Sequence, residues 1–238
     1  MQFLETILAN LADWAPRLSE ALVTSLTLTC AGFSLALVFG LSIEYFRNRS
    51  AASIRLIANV YVAVARGVPI LVILYLIYFG LPASGIVVSA FAAGTIGLAL
   101  VYGAYLSEVF RAGLGVIPRG QREAALAAGL TPAQTFRLVM LPQAIRHMLA
   151  PLLVNLISLL KDSSICALIA VPELTLTSRA IMSESFLPLH VFALTACLYF
   201  AMAWPASLAV RLVERRLARG PTRWRRPDAS ENLLVQSI

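Results

Sequence analysis

The sequence contains four charged residues that lie in or beside long apolar stretches. Their side chains could bind an ion or a charged solute. Lys161 and Asp162 are adjacent in one stretch, and Glu108 lies three residues before Arg111 at the end of another. Charged groups are costly in hydrocarbon, so they face neighbouring helices or water. Glu108 and Arg111 can also pair on one helix face. Each pair predicts either a site on a transport path or a polar contact that holds helices together.

Polar residues recur along one face of the stretch that holds Asp162. Pro151, Asn155, Ser158 and Asp162 are separated by four, three and four residues, which is helical spacing. Asp162 falls about 14 residues, or ~20 Å, into its span, beyond the middle of the hydrocarbon. Lys161 is the only lysine of the chain, and on a helix its side chain points about 100° away from that of Asp162. The stripe predicts a water-filled path or a buried polar network.

The segment Arg66-Gly67-Val68-Pro69 interrupts a further apolar stretch. Pro69 removes a helix hydrogen bond and disfavours helical geometry at Val68. We therefore expect a lead-in segment, a bend and then the span proper. Arg66 would lie near the inner membrane boundary, where it either extends to lipid headgroups or contributes to the path.

Patterns that would indicate an enzyme or a metal site are missing from the sequence. It contains no GxxxxGK[ST] phosphate loop, and no cluster of serine, histidine and carboxylate presents itself. The three cysteines lie in apolar runs without paired spacing. His147 and His190 fall on opposite sides of the membrane in the topology that the arginines favour. We expect a chain that is not an enzyme, holds no cofactor and no metal, and takes its energy from a partner or an ion gradient.

Composition places these residues in a membrane protein. Hydrophobic residues make up 59% of the 238 residues and charged residues 13%, against about 25% charged in soluble domains. We expect an interfacial helix over Met1–Glu20, a polar loop over Pro172–Pro188, a kink at Pro205 and a basic tail over 213–238. The sequence predicts one all-α integral membrane domain over 1–238 with five transmembrane helices, at 21–43, 56–81, 91–110, 148–171 and 189–212.

Arginines are distributed unevenly between the two sides of this topology. The loops after the first and third spans and the tail carry nearly all of them, whereas the other side has only Arg17 and Arg179. By the positive-inside rule the N-terminus lies outside and the C-terminus lies in the cytoplasm. The polar loop over 113–147 is then cytoplasmic.

The loop over 113–147 contains a pattern for two short helices with a fixed corner. The alanine-rich run 123–128 favours a helix, and Gly129 can adopt the left-handed conformation that ends it. A capping box and a later proline that interrupts the helix ladder come after it, in Thr131, Pro132, Gln134 and Pro142. This pattern alone predicts an ordinary helical hairpin or a docking element. The nearby spans argue against a compact DNA-binding helix-turn-helix.

The corner resembles a pattern of a known family. Glu123-Ala124-Ala125, Gly129 and the run Val139–Pro142 are similar to the EAA loop of importer-type ABC transporter permeases, with Val139 in place of the usual isoleucine. Val68 stands where the polar amino acid subfamily commonly has threonine. The resemblance to that subfamily covers roughly 19–212 and includes ARGVPILVILYLIYFGLP, AYLSEVFRAGLGVIPRGQREAA and NLISLLKDSSICALIAVPELT.

The resemblance implies a fold like that of type I ABC importer permeases, and a function. The chain would be the permease subunit of a binding-protein-dependent importer in the bacterial inner membrane, translocating a polar amino acid or related zwitterion. Its partners would be a pair of ABC ATPases that use ATP and Mg, a second permease subunit, identical or related, a periplasmic binding protein and membrane lipids, but no nucleic acid. The ATPase-coupling residues would be Glu123, Ala124, Ala125, Gly129, Leu130, Thr131, Pro132, Leu141 and Pro142.

The mechanism implied by the resemblance uses the corner as a rigid lever. Closure of the ATPases would move it, and the spans would alternate between inward-open and outward-open states. The alternative is a gradient-driven carrier or channel that uses Glu108, Lys161 and Asp162 as proton or ion sites. The lack of an inverted repeat in the sequence favours the importer. The candidate residues of the translocation path are Arg66, Glu108, Asn155, Ser158, Lys161 and Asp162.

Overall fold

The structure, a computed structural model, describes residues 2–49 and 51–218. This part of the chain is helical and has no β-strand. Its α-helices are α1 Gln2–Arg49, α2 Ala52–Gly67, α3 Ile70–Tyr75, α4 Ala90–Gly115, α5 Arg119–Ala127, α6 Pro132–Gln134, α7 Leu141–Asp162, α8 Leu174–Ser185 and α9 Pro188–Ala218. Most of the predicted basic tail lies outside the described residues.

Five helical stretches of the described part can cross a membrane. The bent pair Ala52–Gly67 and Ile70–Ser84 counts as one of them. Helix α4 lies at the centre of the helix bundle, because 61% of the residues in its most apolar part are buried. In the other three unbent stretches the corresponding fraction is 33% or less. These three are Gln2–Asn48, Pro132–Ile169 and Pro188–Arg216. The predicted all-α fold with five spans is confirmed.

Helix α1 is a single helix of 48 residues, so the prediction of a separate interfacial helix over Met1–Glu20 is wrong. Its length of ~72 Å exceeds the ~30 Å of the hydrocarbon. Trp14 and Leu18 are buried in a cluster with side chains of α8 and α9. The guanidinium of Arg17 donates two hydrogen bonds to the carboxylate of Glu184 on α8, at 2.6 and 2.9 Å. These contacts give the N-terminal part of α1 a packed face that its own sequence does not reveal.

The chain bends sharply between α2 and α3, as the sequence predicts. The two segments meet at 107°, and Val68 between them is extended, with φ −92° and ψ 133°. Pro69 is the cause, because its ring disfavours the α conformation in the preceding residue. The hydroxyl of Tyr61 donates to the carbonyl of Leu100 at 2.8 Å and fixes α2 against α4.

Two π-helical turns, Leu76–Gly80 and Thr135–Met140, each end directly before a Leu-Pro pair. In an α-helix, the ring of Pro82 or Pro142 would collide with the carbonyl group four residues earlier. A wider turn places that carbonyl differently, so the helix can continue. Pro142 therefore changes the type of helix without ending it. The helical stretch that holds the fourth predicted span begins at Pro132, well before residue 148.

The prediction of a polar loop over Pro172–Pro188 is wrong, because most of this segment forms helix α8. The carboxylate of Glu173 accepts hydrogen bonds from the backbone N–H groups of Thr175 and Leu176, at 2.9 and 2.8 Å. Glu173 thereby takes the place of the serine or aspartate that usually caps a helix. Before α8, the chain leaves α7 at Asp162 through a 3₁₀ segment over Ser163–Ile169.

Helices α1 and α4 approach closely where glycines replace larger residues. A Cβ atom on Gly103 would lie 2.9 Å from the Cβ of Phe39, and one on Gly40 would lie 3.0 Å from the carbonyl oxygen of Gly103. We expect Gly103→Ala to lower the free energy of unfolding by about 1–3 kcal/mol, because the Phe39 Cβ can move only with its backbone. Thermal unfolding in detergent measures the loss. Gly115→Ala is the control, since its Cβ would meet nothing within 4 Å; equal losses would contradict the prediction.

Candidate functional site

The corner between α5 and α6 has the geometry that its sequence predicts. Gly129 has φ +85°, in the left-handed region. The N–H of Leu130 donates to the carbonyl of Ala125 at 3.2 Å, and the N–H of Gly129 donates to that of Leu126 at 3.0 Å. This pair of bonds is the Schellman pattern, which satisfies the last carbonyl groups of a helix.

The capping box after the corner is also confirmed. The N–H of Gln134 donates to the hydroxyl of Thr131 at 3.3 Å, and the side-chain carbonyl of Gln134 accepts from the N–H of Thr131 at 2.9 Å. Pro132 occupies the first helical turn, where its missing N–H costs nothing. Both sides of the corner are therefore held by local bonds, and the unit behaves as a rigid hairpin.

The coupling hairpin, which we define as Arg119–Met140, buries small side chains and exposes larger apolar ones. Ala125 is 8% exposed and Thr135 is 1% exposed. Leu126, Phe136 and Leu138 are 38%, 41% and 66% exposed. Of the predicted coupling residues, Leu130 and Leu141 are partly buried, and the exposed ones are Glu123, Ala124, Gly129, Thr131, Pro132 and Pro142. The hairpin thus presents an apolar surface together with a carboxylate.

Asp162 is held by a residue that sequence reasoning missed. The hydroxyl of Tyr102 on α4 donates to the Asp162 carboxylate at 2.7 Å. Lys161 is exposed and forms no ion pair with Asp162 within the described residues. The only signal in the sequence is a tyrosine inside an apolar span, since a buried phenol hydroxyl usually finds a partner.

The rest of the predicted polar stripe makes local contacts. The side-chain amide of Asn155 donates to the carbonyl of Pro151 at 2.9 Å, and both Asn155 and Ser158 are partly buried. The stripe therefore lies on one flank of α7, with Asp162 at its end. Arg66 lies elsewhere, with its guanidinium 5.2 Å from the centre of the Tyr105 ring, a cation–π contact with α4.

Glu108 lies in a group of charges at the end of α4 that leads to the coupling hairpin. The predicted pair with Arg111 is confirmed, because Nε of Arg111 donates to Glu108 at 2.9 Å. Arg47 on α1 also donates to Glu108, at 2.7 Å, a contact that no sequence pattern indicates. Glu108 is six residues, or about 9 Å along α4, from Tyr102. The structure therefore separates Glu108 from Asp162 and brings it to the hairpin end of the bundle.

Groups at the opposite end of the bundle have perturbed acidities. Burial raises the pKa of Glu173 above its usual value, whereas the hydrogen bonds from Arg17 lower the pKa of Glu184. Within residues 2–49 and 51–218, no three histidine, cysteine or acidic side chains are grouped so as to hold a metal ion.

A family of transport proteins matches most of the chain. Residues 17–219 match the family described as binding-protein-dependent transport system inner membrane component. The chain belongs to this family. It is therefore a multi-pass membrane protein and the permease subunit of an ABC importer, not an enzyme. The family works with an ATPase, which uses ATP, and with a binding protein.

Individual relatives agree with this assignment. The probable amino-acid ABC transporter permease protein YckA of Bacillus subtilis is 40% identical over 181 residues, which cover 76% of this chain and 80% of the relative. The L-cystine transport system permease protein TcyB of the same organism is 33% identical over 205 residues, covering 86% and 88%. These comparisons do not favour the gradient-driven carrier.

Solved structures give the same result for the fold. The crystal structure of an amino acid ABC transporter with histidines superposes with a TM-score of 0.81 at 35% identity, covering 87% of this chain and 97% of that chain. The MetNI methionine ABC transporter in an inward-facing conformation superposes with a TM-score of 0.65, covering 83% and 96%; at 21% identity it supports the fold alone.

Proposed function

We propose that this permease subunit translocates a polar amino acid or a related small zwitterion. The observation that carries the proposal is the family of relatives, whose names refer to amino acids, glutamine and cystine. The chemistry of α7 agrees with it. Asp162 and Lys161 occupy consecutive positions at the end of the helix and point to different faces; either charge can attract the opposite charge of a zwitterion.

The coupling hairpin is the proposed docking element for the ATPase. Its corner is fixed by the Schellman bonds and the capping box. A displacement of α5 by the ATPase would therefore move α7 as well, because the corner between them bends little. The exposed side chains of Leu126, Phe136 and Leu138 offer the apolar area that a protein interface needs. Glu123 is exposed on α5, three residues before Leu126, and would make a polar contact at the rim.

We propose the remaining partners from the family assignment and the orientation from the distribution of arginines. A pair of ATPases would bind two permease subunits, identical or related, which together enclose the path. The hairpin end would face the cytoplasm of a bacterium and the N-terminus the periplasm, as the distribution of arginines favours. A periplasmic binding protein would deliver the solute at the other end, where α8 lies.

Co-purification tests the importer assignment directly. The tagged chain, expressed in its native host, is purified in mild detergent and examined for a bound ATPase and for ATP hydrolysis. The proposal requires that an ATPase co-purifies and that hydrolysis increases when a binding protein and its amino acid are added. A chain that purifies stably without any ATPase would contradict the proposal.

Replacement of Asp162 tests whether its carboxylate contributes to the translocation path. We expect Asp162→Asn to reduce amino acid uptake roughly ten- to a hundredfold, because a hydrogen bond to a charged group is worth about 1.5–3 kcal/mol. ATPase co-purification should be unchanged. Uptake of radiolabelled amino acid by proteoliposomes measures the effect, and Asp13→Asn, at an exposed site on α1, is the control. If Asp162→Asn transports like the control, Asp162 has no part in the path.

A further inference from the structure

Arg47 on α1 lies between two carboxylates, one on each of two helices. Its guanidinium is 2.7 Å from Oε1 of Glu108 on α4 and 3.9 Å from Oε2 of Glu44 on its own helix. Arg111 on α4 binds the second carboxylate oxygen of Glu108. We call Glu44, Arg47, Glu108 and Arg111 the four-charge cluster. In this structure the ion pair of Arg47 with Glu108 joins α1 to α4, and we call it the cross-bond.

Glu44 carries a buried acceptor that the present arrangement leaves unpaired. Its side chain is 8% exposed. One carboxylate oxygen accepts a hydrogen bond from the side-chain amide of Asn48. The other, Oε2, has no hydrogen-bond partner among the described residues. An unpaired buried acceptor is unfavourable, so Oε2 would gain a bond if Arg47 moved towards it by about 1 Å, to ordinary hydrogen-bonding distance.

The cluster can open without leaving an unpaired buried charge. Breaking a buried ion pair is normally costly because one charge is left without compensation. Here Glu44 and Arg47 are three residues apart on α1, and Glu108 and Arg111 are three residues apart on α4. Each helix therefore retains a complete pair of its own when the cross-bond between Arg47 and Glu108 breaks.

The position of the cluster connects it to the coupling hairpin. Arg111 is four residues before Gly115, the last residue of α4, and α5 begins at Arg119. On the other side of the cluster, the close approach of Gly40 and Gly103 fixes α1 against α4. Beyond this contact, Leu106 and Phe110 of α4 also lie close to Gly40, and the cross-bond joins the two helices nearer to the hairpin, where its state can affect how the end of α4 moves relative to α1.

We propose that Arg47 and Glu108 are positioning residues that form a reversible latch between α1 and α4. The latch is closed when Arg47 binds Glu108 and open when Arg47 binds Glu44. Closed, it holds the base of the coupling hairpin against α1; open, it lets the hairpin end of α4 shift. The assignment of a transport role to this movement rests on the proposed coupling function of the hairpin, but the movement itself does not.

The distance between the two helix ends tests the latch in the full chain. Spin labels are attached to cysteines at the exposed positions Phe46 and Ala112, with the three native cysteines replaced by alanine, and pulsed dipolar spectroscopy is recorded in lipid nanodiscs. Arg47→Met removes the cross-bond, and we expect the longer label distances to increase in population. Glu44→Gln weakens the competing partner, and we expect the shorter distances to increase.

Further variants separate the latch from a general loss of structure. Glu108→Gln breaks the cross-bond from the other side and should shift the distances in the same direction as Arg47→Met. Arg17→Met removes an ion pair of α1 at the opposite end of the bundle and should change nothing. Distributions identical to the parent in Arg47→Met, or shifts in the same direction for Arg47→Met and Glu44→Gln, would overturn the latch. Absence of a bound ATPase would contradict the proposed function instead, without affecting these distances.

Discussion

Gly129→Val is expected to weaken the complex of the permease with its ATPase about 5- to 30-fold. Gly129 has φ +85°, and a β-branched residue is strongly disfavoured there. The left-handed conformation costs an ordinary residue roughly 1–2 kcal/mol, which corresponds to that range of population. Since the docked hairpin needs the same corner, the strain is relieved only in states that cannot dock. The affected contacts are the Schellman bonds, not side-chain packing, because a Cβ at Gly129 would meet nothing within 4 Å.

Gly120→Val is the matched control for this prediction. Gly120 lies in the same hairpin, in the first turn of α5, and a Cβ there also meets nothing within 4 Å. Its φ is not positive, and valine has a somewhat higher helix propensity than glycine, so we expect the substitution to be neutral or to stabilise the helix by about 0.5 kcal/mol or less. The measurement is the amount of co-purified ATPase and its hydrolysis rate per permease. Equal results for the two variants would show that the corner is not the coupling element.

Features that depend on a few consecutive residues could be predicted from the sequence. The corner at Gly129, the capping box at Thr131, the bend at Pro69 and the pair of Glu108 with Arg111 each involve residues at most five positions apart. Local sterics and helical spacing decide such features, and no knowledge of the fold is needed. The predicted coupling hairpin is therefore the best-defined part of the candidate site.

Features that depend on packing between helices could not be predicted. The bond from Arg47 to Glu108 joins residues 61 positions apart, and that from Tyr102 to Asp162 joins residues 60 apart. Nothing in either local segment specifies its partner. The prediction for the N-terminal part of α1 is wrong for the same reason, because Trp14 is buried only by packing in the cluster that α8 and α9 form.

The prolines show how a correct local rule can give an incomplete result. Pro142 removes a hydrogen bond wherever it lies, and the sequence indicates this. Whether the helix then ends or continues depends on the turn before the proline, which here widens into the π segment over Thr135–Met140. The same widening precedes Pro82. Ile77 and Tyr78 before Pro82, and Met140 before Pro142, pack against the buried core, and a wider turn lets the helix continue with these contacts in place.

Glu173→Ala is expected to have the largest effect on stability. Glu173 is fully buried, caps α8 with two backbone hydrogen bonds, and accepts the hydroxyl of Tyr199 on α9 at 2.6 Å. Alanine would remove the cap and the charged acceptor of the Tyr199 hydroxyl, which would keep only its contact with the Thr175 hydroxyl at 3.0 Å. We expect a loss of about 2–4 kcal/mol in the free energy of unfolding, measured by thermal unfolding in detergent. Glu184→Ala, on the same helix but exposed, should change the free energy of unfolding little, because exposed ion pairs stabilise weakly; a similar loss in both would contradict the prediction.

The pH dependence of Glu173→Gln tests the state of the same carboxyl group. Burial raises the pKa of Glu173 above its usual 4.5, so the folded chain binds this proton more tightly than the unfolded chain. The stabilisation from the proton is complete below about pH 4.5 and is lost as the pH rises through the folded pKa. Lowering the pH from 7.5 to about 5 should therefore raise the melting temperature of the parent relative to Glu173→Gln. Glu184→Gln should leave the melting difference nearly unchanged over this range, because Arg17 lowers the pKa of Glu184 and the carboxyl therefore stays ionised in both the folded and the unfolded chain. A melting difference between the parent and Glu173→Gln that stays constant with pH would mean that Glu173 does not titrate differently in the folded chain.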